Sequence, residues 1–254
     1  MKYDVIVVGA GIAGLTAAIY VARASKSVLV LEGTVQGGQI INTINIENWP
    51  GDYKVSGAEL MQKIYKQALE LGAEVEFENV EKIEQEKAGF KVTTEDDEYL
   101  ADTIILAVGA EPRKLSEMQV RSAGDKPISY CATCDGALYK NKPVVVVGSG
   151  ETAKHEIAYL KNIASKVYQI HHDDPIPEDA AVVFAAIGRV PSTKKFANLV
   201  KLDNDGYIVA GEDCATSCPG VYAAGDCRTK NVRQLITAAG DGAVAAGAAV
   251  KYLG

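Results

Sequence analysis

Short runs of consecutive apolar residues alternate along the chain with segments whose apolar positions recur at helical spacing. Asp4-Val5-Ile6-Val7-Val8 is the first run, and an Ala-rich helical stretch follows to about Ala24. A second run, Ser27-Val28-Leu29-Val30-Leu31, ends at Glu32. Leu60, Ile64, Ala68 and Leu71 fall at helical spacing and predict a packed helix from about Gly57 to Leu71. Strands are expected at Glu74–Phe77, Val80–Glu84, Phe90–Thr94 and Thr103–Leu106, most of them in a small antiparallel meander. After Pro143 the order repeats: strand Val144–Val147, helix to about Ile163, strands Lys166–Ile170 and Ala181–Ile187. The chain closes on a helix that begins near Arg233-Gln234 and carries Ala238-Ala239-Gly240-Asp241-Gly242. Continuous apolar strands joined through helices predict parallel sheets covered on both faces.

Between the first strand and helix lies Gly9-Ala10-Gly11-Ile12-Ala13-Gly14. Gly9 suits a tight turn, Gly11 a close approach of pyrophosphate to backbone, and Gly14 a close helix–strand contact. Glu32, at the end of the second strand, suits ribose hydroxyls. A lone glycine triplet is a weak signal; strand, turn, helix, strand and acid in order make a strong one. Gly148-Ser149-Gly150-Glu151-Thr152-Ala153 repeats the turn with Ala at the third position. The stretch from Gly148 to Gly188 holds one βαβ unit and a return strand, short of a complete dinucleotide domain. The fold expected is α/β: two Rossmann-like, three-layer (ββα) dinucleotide-binding domains, the second truncated, with the meander in the first. Gly37-Gly38-Gln39 and Glu47-Asn48-Trp49-Pro50-Gly51 read by themselves as loops. Asp226, beside Gly225, reads by itself as a turn aspartate.

The net charge of −7 argues against a nucleic-acid binder. It is unevenly spread. Twelve acids and three lysines lie between Glu70 and Asp102, a local balance of −9. Between Pro112 and Val145, Arg113, Lys114, Arg121, Lys126, Lys140 and Lys142 face Glu117, Asp125 and Asp135, a balance of +3. That basic island is either solvated surface or a docking face for acidic partners. The C-terminal Ala-rich run is interrupted by Gly242 and Gly247 and is too short for a membrane span. Met1-Lys2-Tyr3 leads straight into a strand with no signal-like segment. A cytosolic, cytoplasmic protein without membrane contact is expected.

In a reducing cytosol, Cys131-Ala132-Thr133-Cys134-Asp135 reads as a redox pair rather than a structural disulfide. Two thiols three positions apart can close a small disulfide. Opening a helix would lower a thiol pKa, and the adjacent acid offers a proton. The alternative is half of a zinc site completed by Cys214 and Cys218. Those two could instead form a second disulfide. Cys227 reads as a small buried thiol. His155, on a predicted helix, and the adjacent His171 and His172 form no evident ligand set, so no metal is expected.

The GAGIAG turn, GGQ, ENWPG, CATCD, GDC and RQLITAAGDGA lie in one order over nearly the whole chain. Together they resemble the low-molecular-weight thioredoxin reductase family. The resemblance implies FAD bound by a discontinuous domain, residues 1–111 and 190–254. A shortened pyridine-nucleotide-like domain, residues 112–189, would carry the redox disulfide. By resemblance Gly9, Gly11, Ala13, Gly14, Glu32, Gly38, Gln39, Asn48, Ala110, Asp226, Arg233, Gln234 and the Leu235 backbone would hold FAD. Cys134 would face the flavin, Cys131 would attack thioredoxin, and Asp135 would be the acid–base group. A homodimer is implied.

Two departures bear on the electron donor. Where NADPH-dependent members carry a basic cluster for the 2′-phosphate, this chain has His171-His172-Asp173-Asp174, whose carboxylates would repel it. The second domain is also several dozen residues short. The chain is most similar in this respect to the flavin-type ferredoxin–thioredoxin reductases, so reduced ferredoxin is the expected donor. NADH is the alternative, because Asp173 follows the second glycine turn at a spacing suited to an unphosphorylated ribose. A non-catalytic, flavin-bearing redox sensor is a third reading, weakened by the intact Cys131, Cys134 and Asp135.

Overall fold

The structure, a computed structural model, describes residues 1–33, 37–171 and 174–254. Two compact units share the chain: Met1–Glu111 with Pro191–Gly254, and Pro112–Val190. In chain order the first unit opens with β1 (Lys2–Val8), α1 (Ile12–Arg23), β2 (Val28–Leu31), α2 (Gly57–Glu70) and β3 (Glu74–Glu76). Then come β4 (Val80–Glu86), β5 (Gly89–Thr94) and β6 (Glu98–Leu106). The chain crosses over in β7 (Ala110–Pro112). The second unit holds α3 (Glu117–Ala123), β8 (Ile128–Ser129), α4 (Ala132–Asp135), β9 (Pro143–Val147), α5 (Glu151–Leu160), β10 (Lys166–Ile170) and β11 (Val183–Ala185). The chain returns through β12 (Arg189–Pro191) and ends with β13 (Val221–Ala223) and α6 (Leu235–Leu253).

In the first unit the sheet order is β3-β2-β1-β6-β5-β4, with β13 also on β6. β1 runs parallel to β2 and to β6, placing Val5 beside Val28 and Thr103. The predicted meander exists, but it is continuous with this sheet. β6 starts at Glu98 rather than Thr103. Glu98–Ala101 pair antiparallel with β5, and Ile104–Leu106 pair parallel with β13. Alternating burial marks the front of β6 and burial on both faces its end; only the end is a continuous apolar run. Successive β1 residues feed opposite cores. Val5 and Val7 pack with α1, α2 and α6, while Ile6 and Val8 pack with Ile83, Phe90, Phe196 and Ile208. Burying each such side chain contributes roughly 1.5–3 kcal/mol. Ser56 caps α2 by accepting from the Glu59 amide at 3.2 Å. Leu71, expected in the core, follows the last turn and is exposed.

Among the described residues the second unit carries the sheet β10-β9-β11-β8, all parallel. Val145 and Val147 of β9 face α3 through Ala123; Val144 and Val146 face α5 through Ala153 and Leu160. Two expectations are corrected here, and one element is added. α5 stops at Leu160 rather than Ile163, because Asn162 and Ile163 turn back to bond Tyr159 and Leu160. β11 spans only Val183–Ala185 of the expected 181–187, the stretch that pairs with β9 and β8. α3, which the apolar pattern does not predict, is capped by Ser116 and buries Gln119 and Ala123. His172 and Asp173 lie outside the described residues.

Candidate active site

In the first unit a cradle forms where β1 meets α1. Gly9 takes φ +102°, and its backbone abuts Ala107, where a side chain would strike the Ala107 carbonyl. A Cβ on Gly14 would come within 1.8 Å of the Gly9 carbonyl, so Gly14 is fixed by packing. Gly11 differs: a Cβ there meets no protein atom within 4 Å. Gly11 is the N-cap of α1 and offers no side-chain cap to the first helical amides. Those amides therefore point into the cradle, the arrangement that favours an anion. Ala13 is buried beneath it, and Gly38 stands opposite Gly11 across the turn.

Glu32 is almost wholly buried at the end of β2. One carboxylate oxygen accepts from the Gly37 amide; the other has no partner among the described residues. Burial pushes its pKa up, and the Gly37 amide offsets part of that. Other site residues predicted from sequence meet in pairs. The Gln39 side-chain amide donates to the Ala110 carbonyl at 3.1 Å. Asn48 donates to the Gln234 side chain at 3.0 Å, joining residues 186 apart in sequence. Gln234 caps α6, reciprocally with Thr237, and Leu235 begins the helix. Asp226 sits in the turn Gly225–Cys227, with Arg233 Nε donating to its carbonyl at 3.5 Å. Arg233 also stacks over the Tyr207 ring, 4.1 Å from its centroid.

The second unit carries the redox turn. Cys131 and Cys134 form a disulfide, with Cα atoms 5.3 Å apart. Cys131 is the N-cap of α4, and its carbonyl accepts from the amides of Cys134 and Asp135 at 3.2 and 3.1 Å. Ala132 is fully buried against Ala153 and Leu160 of α5. Ser129, at the end of β8, donates to Asp135 Oδ2 at 2.6 Å and accepts from the Cys131 amide at 3.2 Å. Ser129 thus fixes both ends of the turn. It was missed in the sequence, where a serine two residues before a cysteine carries no signal. Glu156, on α5, was missed as well.

The remaining cysteines do other work. Cys214 and Cys218 are buried free thiols, so the second disulfide is not formed. Burial raises the Cys214 thiol to about 11 and the Cys227 thiol to about 12. No cluster of His, Cys, Asp and Glu able to hold a metal occurs among the described residues. His155 is exposed on α5, and the His171 amide donates to Asp174 at 2.7 Å. No helix among the described residues is long and apolar enough to cross a membrane.

The family model for pyridine nucleotide-disulphide oxidoreductases matches residues 3–180 and 177–243. The thioredoxin reductase of Listeria monocytogenes is 37% identical over 299 aligned positions, covering 99% of this chain and 94% of that protein. The chain belongs to the thioredoxin reductase family. The Bacillus subtilis thioredoxin reductase is 34% identical, with 99% of this chain and 95% of that protein covered. Among solved structures, the thioredoxin reductase of Streptococcus pyogenes superposes with a TM-score of 0.91 at 33% identity, over 99% and 98% of the two chains. A ferredoxin-flavin thioredoxin reductase from Clostridium acetobutylicum gives 0.63 at 29% identity, over 99% and 98%. A 299-position alignment against 254 residues leaves at least 45 positions without a counterpart in this chain.

As a thioredoxin reductase relative, the chain is a flavin-dependent disulfide oxidoreductase, and its cofactor is FAD. The first unit fits that group on its own geometry. The open space over Gly11 suits a phosphate, and the buried Glu32 oxygen that has no partner among the described residues suits a ribose hydroxyl. Gly11→Ala separates ligand contact from folding. It is expected to weaken FAD retention at least about tenfold, while apoprotein stability changes by no more than about 1 kcal/mol. Flavin absorbance of the purified variant and urea unfolding of its apoprotein check both. Full flavin content in Gly11→Ala would contradict the assignment.

Proposed function

We propose that this chain is a thioredoxin reductase fed by reduced ferredoxin, with Cys131 and Cys134 as its working dithiol. FAD held by the first unit would supply an acceptor of single electrons and a donor of electron pairs, the chemistry that links a one-electron carrier to a two-electron disulfide. The chain's own residues do the rest. The Cys131–Cys134 bond opens on receiving two electrons, and the Ser129-held Asp135 carboxyl lies within its turn to move the proton. Cys131 attacks the thioredoxin disulfide, and Cys134 resolves the mixed disulfide. Gly9, Gly11, Ala13, Gly14, Glu32, Gly38, Gln39, Asn48, Ala110, Asp226, Arg233, Gln234 and Leu235 hold FAD in this reading.

One observation carries the choice of donor. The nucleotide-facing cavity of the second unit, about 300 Å³, is lined by Gly148, Ser149, Gly150, Thr152, His171, Ala186, Ile187 and Gly188. No lysine or arginine is among those lining residues, although the Arg113 side chain stands against Gly188 at the edge. Asp174, in the stretch that follows β10, accepts from the His171 amide. The 45 unmatched positions and the four-stranded sheet support the same reading. Exposed Lys140 and Lys142 follow the redox turn after the intervening turn Gly136–Tyr139 and suit an acidic partner. The energetics agree. A plant-type ferredoxin near roughly −400 mV and thioredoxin near about −270 mV leave about 130 mV, roughly 6 kcal/mol for two electrons.

NADH is the second reading, favoured by the intact Gly148–Gly150 turn at the uncapped start of α5. A turnover assay tests the proposal. With reduced ferredoxin as the sole donor, oxidised thioredoxin is expected to gain free thiols catalytically. Thioredoxin that stays oxidised would overturn ferredoxin as donor.

A further inference from the structure

Glu156 is half-buried, and no step described above uses its carboxyl. It lies on α5, the helix on which the redox turn is packed: Ala132 sits among Ala153 and Leu160, and a Cβ on Gly136 would come within 3.0–3.2 Å of Leu160 and Tyr159. Oε1 of Glu156 accepts from the Ala132 amide at 3.4 Å, between the two cysteines in sequence. Oε2 is buried with no hydrogen-bond partner among the described residues. We infer that Glu156 is a positioning residue of the redox turn, whose carboxylate opposes thiolate formation at Cys131–Cys134 and so tunes how readily the reduced pair attacks. The inference rests on the reading of that pair as the working dithiol.

The electrostatics follow from placement. Two electrons and two protons open the S–S bond to two thiols. Loss of one proton then gives the thiolate that attacks the partner's disulfide, oxidising the pair and reducing the partner. A negative carboxylate behind the turn makes that proton harder to lose. Among the described residues, these charged and titratable groups lie on the elements packed with Glu156. Asp135 comes from the turn itself and Arg189 from β12, whose charge favours the ionised carboxyl. Tyr159 and His155 share α5, and Tyr139 follows the turn. Burial acts first on Glu156 and pushes its pKa up, while the Ala132 amide and Arg189 pull it back. The penalty on the thiolate therefore exists only above the pH at which Glu156 ionises.

Glu156→Gln keeps an oxygen for the Ala132 amide and removes the charge, so a purely structural role would leave the thiols unchanged. The FAD-loaded protein is reduced anaerobically with dithionite and alkylated with iodoacetamide from pH 5.5 to 9.5. Mass spectrometry then follows the Cys131 and Cys134 peptides, with buried Cys214, Cys218 and Cys227 as internal references. The more reactive thiol is expected to ionise about half a pH unit lower in Glu156→Gln, a roughly threefold faster alkylation at pH 7. The gap between the two profiles should narrow toward the acid end, as Glu156 takes up its proton. Glu156→Asp, which keeps the charge, should stay with the wild type. Superimposable wild-type and Glu156→Gln profiles would overturn the inference. Failure of the underlying reading looks different: Cys131 and Cys134 of the wild type would then alkylate no faster after reduction than before.

Discussion

Replacing Cys134 by serine is expected to lower thioredoxin reduction by at least about 10³-fold while leaving FAD content unchanged. The structure places Cys134 in a disulfide with Cys131 across one turn, within the unit formed by residues 112–190. With a single thiol the bond cannot close, so the chain cannot hold the electron pair as a dithiol. A mixed disulfide formed at Cys131 would also lack its resolving thiol. A serine hydroxyl supplies neither function at neutral pH. Thioredoxin-dependent turnover and flavin absorbance of the same preparation check both halves. Activity within tenfold of wild type would remove the disulfide from the mechanism. A flavin-bearing sensor without catalysis would show no turnover to lose and would keep its partner binding in the variant.

Asp241→Ala is expected to cost about 3–5 kcal/mol of stability, the largest effect foreseen for a residue distant from the redox turn. Asp241, on α6, accepts from Arg228 Nε at 2.9 Å and Nη2 at 2.8 Å, from Lys230 Nζ at 2.7 Å, and from the Gly225 amide at 2.9 Å. All three side chains are at least nine-tenths buried. Removing the carboxylate leaves two buried cations uncompensated and releases the turn that carries Asp226. Flavin retention should fall with stability. Urea unfolding reads the stability, and a loss under about 1 kcal/mol would contradict the account. The same site has a pH signature. Burial works to raise the Asp241 carboxyl, but Arg228, Lys230 and Gly225 outweigh it, and its pKa lies below the usual aspartate range. A depressed folded pKa gives stability that is complete above the unfolded value, about 3.9, and lost as pH falls through the folded one. Acid unfolding of Asp241→Asn should lack that component.

The sequence was most informative where one local pattern determines both element and site. Val5–Val8 and the glycine turn are contiguous, Glu32 closes the next strand, and their order alone predicts a phosphate cradle with an acid for ribose hydroxyls. The redox turn was equally legible, because both thiols and the acid lie within five residues. Legibility failed where the partner is remote. Asp241 looked like one more helix residue in an Ala–Gly run; its importance comes from Arg228 and Lys230, which tertiary folding brings to it. Glu156 lies 22 residues beyond Cys134, and only the packing of α4 on α5 connects them. The start of β6 was missed for a different reason: its front half alternates in burial, so no continuous apolar run announces it. α3 was missed because it buries only two residues, Gln119 and Ala123, one of them polar.

The most direct test of the central claim is an anaerobic titration of the FAD-loaded protein, following flavin absorbance as NADPH, NADH and reduced ferredoxin are added in turn. The account predicts that the flavin stays oxidised with micromolar NADPH or NADH and bleaches with reduced ferredoxin, after which added thioredoxin restores its colour. Rapid bleaching by stoichiometric NADPH would contradict it.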